Sequence, residues 1–190
     1  PELAGNPTRA ALGKAMATYR AQAMQDDRDD ARWFIDKQPL NFRYIDLILA
    51  MFPNAKIIHC QRDSRATALS LWMQSFNEDV QGYAYDPGSI ALVMRACERL
   101  MNHWHQRYPD SIRAARYEDL VPHTRQQVES LAAWIGLPAP WTGEDDAVAR
   151  SPGTISSASL WQARQPVYSR SLEHWKHYAG HLPELLHPGA

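Results

Sequence analysis

The sequence predicts an α/β protein in which short parallel strands alternate with helices. Three short runs, residues 32–37, 56–60 and 111–117, have the length of strands. The stretches between them carry apolar residues at the three- and four-residue spacing of amphipathic helices. Strand–helix–strand connections of this kind are typical of parallel sheets. The sequence has 190 residues, which is enough for one domain with a substantial core. We therefore expect residues 1–190 to form a single domain.

The first part of the chain predicts a helix, a strand and a second helix. Residues 7–25 carry an apolar stripe at helical spacing. After an acidic connector, the run 32–37 is predicted to be the first strand. Pro39 ends that strand, because the residue before a proline is biased away from helical angles. A helix over 41–52 follows, so the order is strand, helix, strand.

The central stretch changes from strand to helix around an arginine. Residues 56–60 contain adjacent isoleucines, which suit a strand buried on both faces. Helical spacing begins at Ser64, and Asp63 or Ser64 is suited to cap that helix. Arg62 lies between the two elements and offers a planar fork of donors for a phosphate. A helix N-terminus with free N–H groups adds to this, as does the Ser70 hydroxyl. The stretch therefore predicts an anion site.

Lys37 is the second cation expected at this site. Because the first two strands are predicted to be parallel neighbours, Lys37 and Arg62 should project from one sheet edge, where open α/β sheets bind ligands. The alternative is that Arg62 forms an ordinary ion pair with Asp63 or Glu118. In that case Ser70 would simply bond the backbone of its own helix.

The rest of the chain supplies further helices and one more strand. The third strand brings Tyr117 and Glu118 to the same edge as the cations. Gly136 is expected to close a helix in the left-handed conformation. The remaining predicted elements are a loop over 77–89 that acts as a lid or contacts the substrate, a helix over 90–108, a helix over 124–135, a helical turn over 144–150, an irregular segment over 151–171 and a last helix over 171–178.

Composition narrows the classes of function. The formal net charge is −1, so no broad basic face for nucleic acid is expected. Cys60 and Cys97 lie in apolar contexts and are interpreted as buried thiols of a reducing compartment. No run has the length of a membrane span, and no signal peptide is recognisable. The histidines are scattered without a completing ligand, so no metal site is expected. We therefore expect a cytoplasmic protein that binds no nucleic acid, membrane or metal.

Five short segments, in matching order and spacing, carry a resemblance to a known family. They are residues 36–42 (DKQPLNF), 53–63 (PNAKIIHCQRD), 116–121 (RYEDLV), 131–137 (LAAWIGL) and 164–168 (RQPVY). With them the chain resembles sulfotransferases that use 3′-phosphoadenosine 5′-phosphosulfate (PAPS), in particular bacterial domains akin to tyrosylprotein sulfotransferases. The resemblance implies a P-loop-NTPase-like parallel sheet with flanking helices. It also implies transfer of a sulfuryl group from PAPS to an acceptor hydroxyl, with 3′,5′-ADP as product and no metal.

The resemblance also implies roles for particular residues. Arg62 and Ser70 match the arginine and the serine eight residues later that bind the 3′-phosphate. Lys37 matches a catalytic lysine near the transferred group. Further nucleotide-binding residues implied by the resemblance are Tyr117, Ser159 and Arg164, with His174 a looser match.

The chain departs from the family at its beginning. The family starts with a strand, a Gly/Ser/Thr loop for the 5′-phosphosulfate and, in the tyrosylprotein branch, a glutamate base, none of which has a match here. We therefore expect a partial domain without its first strand, with upstream domains or a homodimer as partners. A non-catalytic nucleotide-binding or partner-docking module of the same fold is the alternative. A kinase-like phosphotransferase is a more distant one, because it should carry a Walker loop. The acceptor class, whether peptide, sugar or lipid, stays open.

Overall fold

The computed structural model describes residues 8–25, 33–137 and 170–181. The described chain divides into two units, one within residues 1–57 and 100–112, the other within 58–99 and 113–190. The helices are α1 (Arg9–Ala23), α2 (Ile45–Met51), α3 (Ser64–Met73), α4 (Glu78–Gln81), α5 (Pro87–Arg107), α6 (Tyr117–Leu120), α7 (Thr124–Ile135) and α8 (Arg170–Glu173). The strands are β1 (Ile57–Gln61) and β2 (Ile112–Arg116), and short 3₁₀ helices cover Pro39–Tyr44, Gly82–Tyr85 and His174–Tyr178.

Two of the three predicted strands are confirmed. β1 and β2 lie next to each other in a two-stranded parallel sheet. Their pairing begins where the N–H of Ile57 donates to the carbonyl of Ser111 at 2.8 Å. The described residues thus form the mixed α/β arrangement that the alternation of apolar patterns predicted.

The predicted strand over 32–37 is wrong in its described part. Residues 33–38 have no regular secondary structure. The apolar side chains that suggested a buried strand are exposed, by 45% at Trp33, 55% at Phe34 and 86% at Ile35. A strand needs a partner for its backbone groups, and an apolar run cannot by itself supply one.

The expected burial of β1 on both faces is also wrong. Exposure alternates along the strand, and Ile58 and Cys60 lie on its exposed side. Both cysteines are free thiols, but only Cys97 is half-buried. The alternation is that of a strand with one covered face, so the interpretation of Cys60 as a buried thiol does not hold.

The first unit is held by α1, α2 and the last turns of α5. The Oγ1 of Thr8 caps α1 by accepting the N–H of Ala11 at 3.2 Å. α1 packs on α2, and the rings of Tyr19 and Phe52 lie 5.6 Å apart. The indole N–H of Trp104 donates to the carbonyl of Phe42 at 2.9 Å. Among the described residues of this unit, the buried apolar side chains are Ile45, Leu49, Met101 and Ile112.

The second unit is built around α3 and the first half of α5. Ala68, Leu69 and Ile90 form a buried cluster, and Trp175 and Tyr178 of the last 3₁₀ helix pack against it. This cluster fixes the inward face of α3. Its outward face, which includes Ser70, remains exposed.

The predicted loop over 77–89 is largely helical. It contains α4, a 3₁₀ helix and the first turn of α5, which begins at Pro87 rather than Ile90. The hydroxyl of Tyr85 donates to the carbonyl of Phe76 at 2.6 Å and accepts its N–H at 2.8 Å. Asn77 caps α4 by accepting the N–H of Asp79. Side-chain contacts of this kind order a segment whose glycines and prolines suggested a loop.

Gly136 ends α7 as predicted. Its φ of 81° lies in the left-handed region. Its N–H donates to the carbonyl of Ala133 at 3.2 Å, and the N–H of Leu137 donates to that of Ala132 at 2.9 Å. These bonds satisfy carbonyls that the helix end would otherwise leave open.

We predict opposite effects of one substitution at two glycines. Gly136→Ala should lower the free energy of unfolding by about 1 kcal/mol or more, because a Cβ is disfavoured at positive φ. Gly13→Ala should raise it by about 0.5–1 kcal/mol, because Gly13 lies inside α1 and nothing stands within 4 Å of the added Cβ. Urea unfolding measures both. Changes of the same sign would contradict the assignment of the α7 terminus.

Candidate functional site

Asp63 caps the helix that follows β1. β1 ends at Gln61 and α3 begins at Ser64, so Arg62 and Asp63 form the junction. The Oδ1 of Asp63 accepts the N–H of Arg65 at 2.9 Å and that of Ala66 at 3.3 Å. Of the two predicted caps, Asp63 is therefore the one that the structure uses.

Arg65 is held between a carboxylate and an aromatic ring. Its Nε and Nη2 donate to the two oxygens of Asp63 at 3.1 and 2.7 Å. Its guanidinium lies 3.8 Å from the ring centroid of Trp175, a cation–π geometry. The hydrogen bonds from Arg65 are the largest cause that lowers the pKa of Asp63, with further help from the amides of Ala66 and Arg65. Asp63 therefore stays ionised to a lower pH than an ordinary aspartate.

Glu118 joins the end of β2 to the same junction. The backbone N–H of Asp63 donates to the Oε1 of Glu118 at 2.8 Å. The Oε2 of Glu118 is buried. Because Glu118 lies in α6, directly after β2, this bond connects the carboxyl ends of the two strands.

Arg62 and Tyr117 lie together, as the sequence predicted. The guanidinium of Arg62 lies 5.1 Å from the ring centroid of Tyr117. The Nε of Arg62 is buried. The ion pair of Asp63 is formed with Arg65. A planar guanidinium can lie on an aromatic ring and still carry the fork of donors that suits a phosphate.

The prediction of free backbone N–H groups at the start of α3 is wrong for three of these groups. The N–H groups of Asp63, Arg65 and Ala66 already donate to the carboxylates of Glu118 and Asp63. A ligand anion would have to displace these bonds to use the same donors. The predicted anion site would therefore depend on side chains, with the helix dipole as a smaller contribution.

Ser70 lies on α3 where the periodicity placed it. It is exposed and stands eight residues after Arg62. α3 runs from Ser64 to Met73, so Ser70 is in its second turn. The position is as expected, and the assignment of its hydroxyl to an anion stays a prediction.

Lys37 lies in the first unit, in the segment without regular structure. Its neighbour Asp36 is anchored, because Oδ2 accepts the hydroxyl of Tyr19 at 2.6 Å and the amide of Asn41 at 3.2 Å. Lys37 itself is exposed. Because residues 33–38 are not a strand, the argument that placed Lys37 and Arg62 on one sheet edge loses its premise. The role of Lys37 rests on the family resemblance.

Two predicted nucleotide-binding residues, Ser159 and Arg164, lie outside the described residues, as does the predicted helical turn over 144–150. His174 is described, and its ring lies 5.4 Å from that of Tyr178 and 6.2 Å from that of His177. Within residues 8–25, 33–137 and 170–181, no three His, Cys, Asp or Glu side chains are grouped closely enough to hold a metal. The helices described in these ranges include none long and apolar enough to span a membrane.

Sequence reasoning missed the clamp on Arg65. The partner Asp63 is two residues away, and a carboxylate before an arginine in the first helical turn is a local signal. The other partner, Trp175, is 110 residues further along the chain. No local pattern identifies a contact at that separation.

The described residues define an α/β protein with Arg62 at the junction between the strand β1 and the helix α3. Comparison with known families agrees with this class. The sequence profile described as "Sulfotransferase family" matches residues 3–143. The chain belongs to the sulfotransferase family.

Two relatives show how much of a longer protein the chain corresponds to. An uncharacterized protein of Aquifex aeolicus (strain VF5) is 31% identical over 177 residues, which cover 92% of this chain and 23% of the relative. A protein-tyrosine sulfotransferase of Drosophila melanogaster is 21% identical over 184 residues, 93% of this chain and 36% of the relative. The chain thus spans about a quarter and about a third of these proteins.

We predict that Tyr19 titrates far above an ordinary tyrosine. Burial, followed by the hydrogen bond to Asp36 and its charge, raises the pKa of Tyr19 from 10.0 to about 12. A raised folded-state pKa means that the contact stabilises fully below pH 10 and that this stability is lost as the pH rises through about 12.

Ultraviolet difference spectra of wild type and Tyr19→Phe isolate this tyrosine, and urea unfolding across the same pH range follows the stability. Asp36→Asn is the matched variant and should move the pKa back toward 10, since it removes the negative charge. A Tyr19 that ionises at pH 10 in the wild type would contradict the anchoring of Asp36.

Proposed function

We propose that this chain carries the 3′-phosphoadenosine-binding part of a sulfotransferase that uses PAPS. The observation that supports this most directly is the Arg62 guanidinium over Tyr117 at the junction between β1 and α3. The resemblance to sulfotransferases assigns nucleotide binding to both residues, and the chain belongs to that family. A cation on a ring at a strand end fits a phosphate attached to a nucleoside.

Arg62 and Ser70 would hold the 3′-phosphate. The competing cation at this junction is Arg65, but two of its nitrogens donate to Asp63 and its face is against Trp175. Binding a phosphate through Arg65 would mean breaking those contacts. Arg62 is the arginine that the family resemblance assigns to the 3′-phosphate, and the exposed hydroxyl of Ser70 on α3 would supply a second donor.

PAPS supplies an activated sulfuryl group, and the reaction is an in-line transfer. The acceptor hydroxyl loses its proton to a base, for which this sequence has no match to the glutamate of the tyrosylprotein branch. The acceptor oxygen bonds to sulfur, and the bond between sulfur and the bridging oxygen breaks, so that 3′,5′-ADP leaves. Lys37 would stabilise the negative charge that develops on the bridging oxygen. The Tyr19–Asp36 bond would keep the backbone beside Lys37 in place.

The reaction requires an acceptor with a hydroxyl group and no metal. A tyrosyl peptide is the first acceptor to test, because one relative is a protein-tyrosine sulfotransferase. We propose a cytoplasmic location on the basis of the two free thiols. A non-catalytic module that only binds the nucleotide is the second candidate, favoured by the exposure of Lys37, since a cation in water stabilises charge less well.

We predict that binding of 3′,5′-ADP depends on Arg62. Arg62→Ala should weaken binding by about 10- to 100-fold, the loss expected for hydrogen bonds to a charged group. Ser70→Ala should weaken it by about 2- to 10-fold, as for a single hydroxyl donor. Isothermal titration calorimetry measures both.

Matched controls are available in the same unit. Arg125 is an exposed arginine paired with Glu129 on α7, and Ser75 is an exposed serine beyond the end of α3. Arg125→Ala and Ser75→Ala should bind 3′,5′-ADP like the wild type. Unchanged affinity in Arg62→Ala, or no binding by the wild type, would overturn the proposed function.

We predict that Lys37 affects transfer and not nucleotide binding. With radiolabelled PAPS and a tyrosyl peptide or p-nitrophenol as acceptor, Lys37→Ala should lower the rate about 100-fold or more, as when a charge-stabilising donor is removed. Its affinity for 3′,5′-ADP should not change. Lys14→Ala, an exposed lysine of α1, is the control. Binding without any transfer by the wild type would favour the non-catalytic module.

A further inference from the structure

Two pairs of adjacent residues meet where the strands β1 and β2 end. Arg62 and Asp63 follow β1, and Tyr117 and Glu118 follow β2. Arg62 lies over the ring of Tyr117 at 5.1 Å, and the N–H of Asp63 donates to Glu118 at 2.8 Å. The first contact involves the predicted phosphate ligand, and the second contact is its immediate neighbour.

The hydrogen bond to Glu118 fixes the peptide plane on which Arg62 depends. The N–H of Asp63 belongs to the peptide group that links Arg62 to Asp63. A peptide group is planar, so a bond to its N–H sets the orientation of the whole unit, including the carbonyl of Arg62. β1 holds the chain on the other side of Arg62. The backbone of Arg62 is thus restrained from both directions.

We propose that Glu118 is a positioning residue that holds Arg62 ready for the phosphate through the backbone of Asp63. This inference rests on the proposed function and deepens it, because it assigns a residue that sets the affinity of the site without touching the ligand. In this role Glu118 acts as a hydrogen-bond acceptor, and its negative charge does not contribute to nucleotide binding.

The two properties of the Glu118 side chain should have opposite effects on anion binding. Its oxygen accepts the hydrogen bond that restrains Arg62, whereas its negative charge opposes a bound anion. A carboxylate near a bound phosphate repels it. A charge-assisted bond to a backbone N–H is stronger than a neutral one, which gives a reason for a carboxylate at this place. A glutamine keeps an oxygen acceptor of the same reach and removes the charge. An alanine removes both.

The experiment compares Glu118→Gln, Glu118→Ala and Asp119→Ala. Asp119 is the matched control, because it is an exposed carboxylate on the next residue of α6. Calorimetry with 3′,5′-ADP gives the affinity, and amide hydrogen exchange at Asp63 gives the state of the bond. Circular dichroism melting shows whether each variant folds.

We expect Glu118→Ala to bind 3′,5′-ADP about tenfold more weakly, the change for one lost hydrogen bond to a charged group. Its Asp63 amide should exchange faster than that of the wild type. Glu118→Gln should keep the slow exchange and bind as tightly as the wild type or more tightly, since repulsion is removed. Asp119→Ala should match the wild type in both measurements.

Three results would overturn the inference. Wild-type affinity in a folded Glu118→Ala variant would show that Arg62 needs no such restraint. Equal losses in Glu118→Gln and Glu118→Ala would show that the charge matters and not the acceptor. Unchanged exchange at Asp63 in Glu118→Ala would show that the bond does not hold the junction.

The exchange result stands apart from the proposed function. If the wild type fails to bind 3′,5′-ADP, the assignment of the nucleotide fails, whereas exchange at Asp63 still reports on the restraint. Should Glu118→Ala not fold, Glu118→Gln carries the test, because loss of slow exchange or of affinity in that variant contradicts the inference.

Discussion

The structure of the candidate site depends on the way in which Asp63 is held. Its carboxylate caps α3, its two oxygens clamp Arg65, and its own N–H is bound by Glu118. These contacts fix the direction in which α3 leaves β1. Arg62 comes just before this residue and Ser70 lies on the helix that it caps, so the relation between them follows from this one cap. An aspartate is suited to it because a single side chain can accept several donors at once.

The use of Asp63 as a cap has a consequence for the chemistry of the site. A helix start that binds a phosphate through its amides must leave those amides open, whereas here Asp63 and Glu118 occupy three of them. In the proposed nucleotide site, affinity would then come mainly from side chains. The two arginines of the junction differ in their contacts. Arg65 stabilises the cap and contacts Trp175, while Arg62 lies on Tyr117 beside the strand ends.

The sequence was a reliable guide where a feature is decided locally. The cap at Asp63, the two strands of the sheet and the left-handed Gly136 each follow from a few adjacent residues, and each is confirmed. Contacts between distant parts of the chain could not be predicted from the sequence. Trp175 meets Arg65 across 110 residues of sequence. The apolar run at 33–35 has the composition of a strand, but composition cannot show whether a partner strand lies beside it.

Near Lys37, side-chain contacts restrain the backbone in the way that pairing of a strand would have done. A group that stabilises developing charge is effective only if it is held in place before the reaction. Backbone pairing would have done this for the predicted strand. Residues 33–38 do not form a strand. Instead, two side chains donate hydrogen bonds to Asp36, and the ring of Tyr19 lies 6.4 Å from that of Phe34. The backbone beside Lys37 is therefore restrained while its side chain remains exposed. An exposed ammonium is well solvated, so in the proposed reaction its effect on the reacting oxygen would increase when a bound substrate excludes water. In the proposed transfer, the acceptor would therefore contribute to catalysis as well as to specificity, because it would complete the surroundings of Lys37.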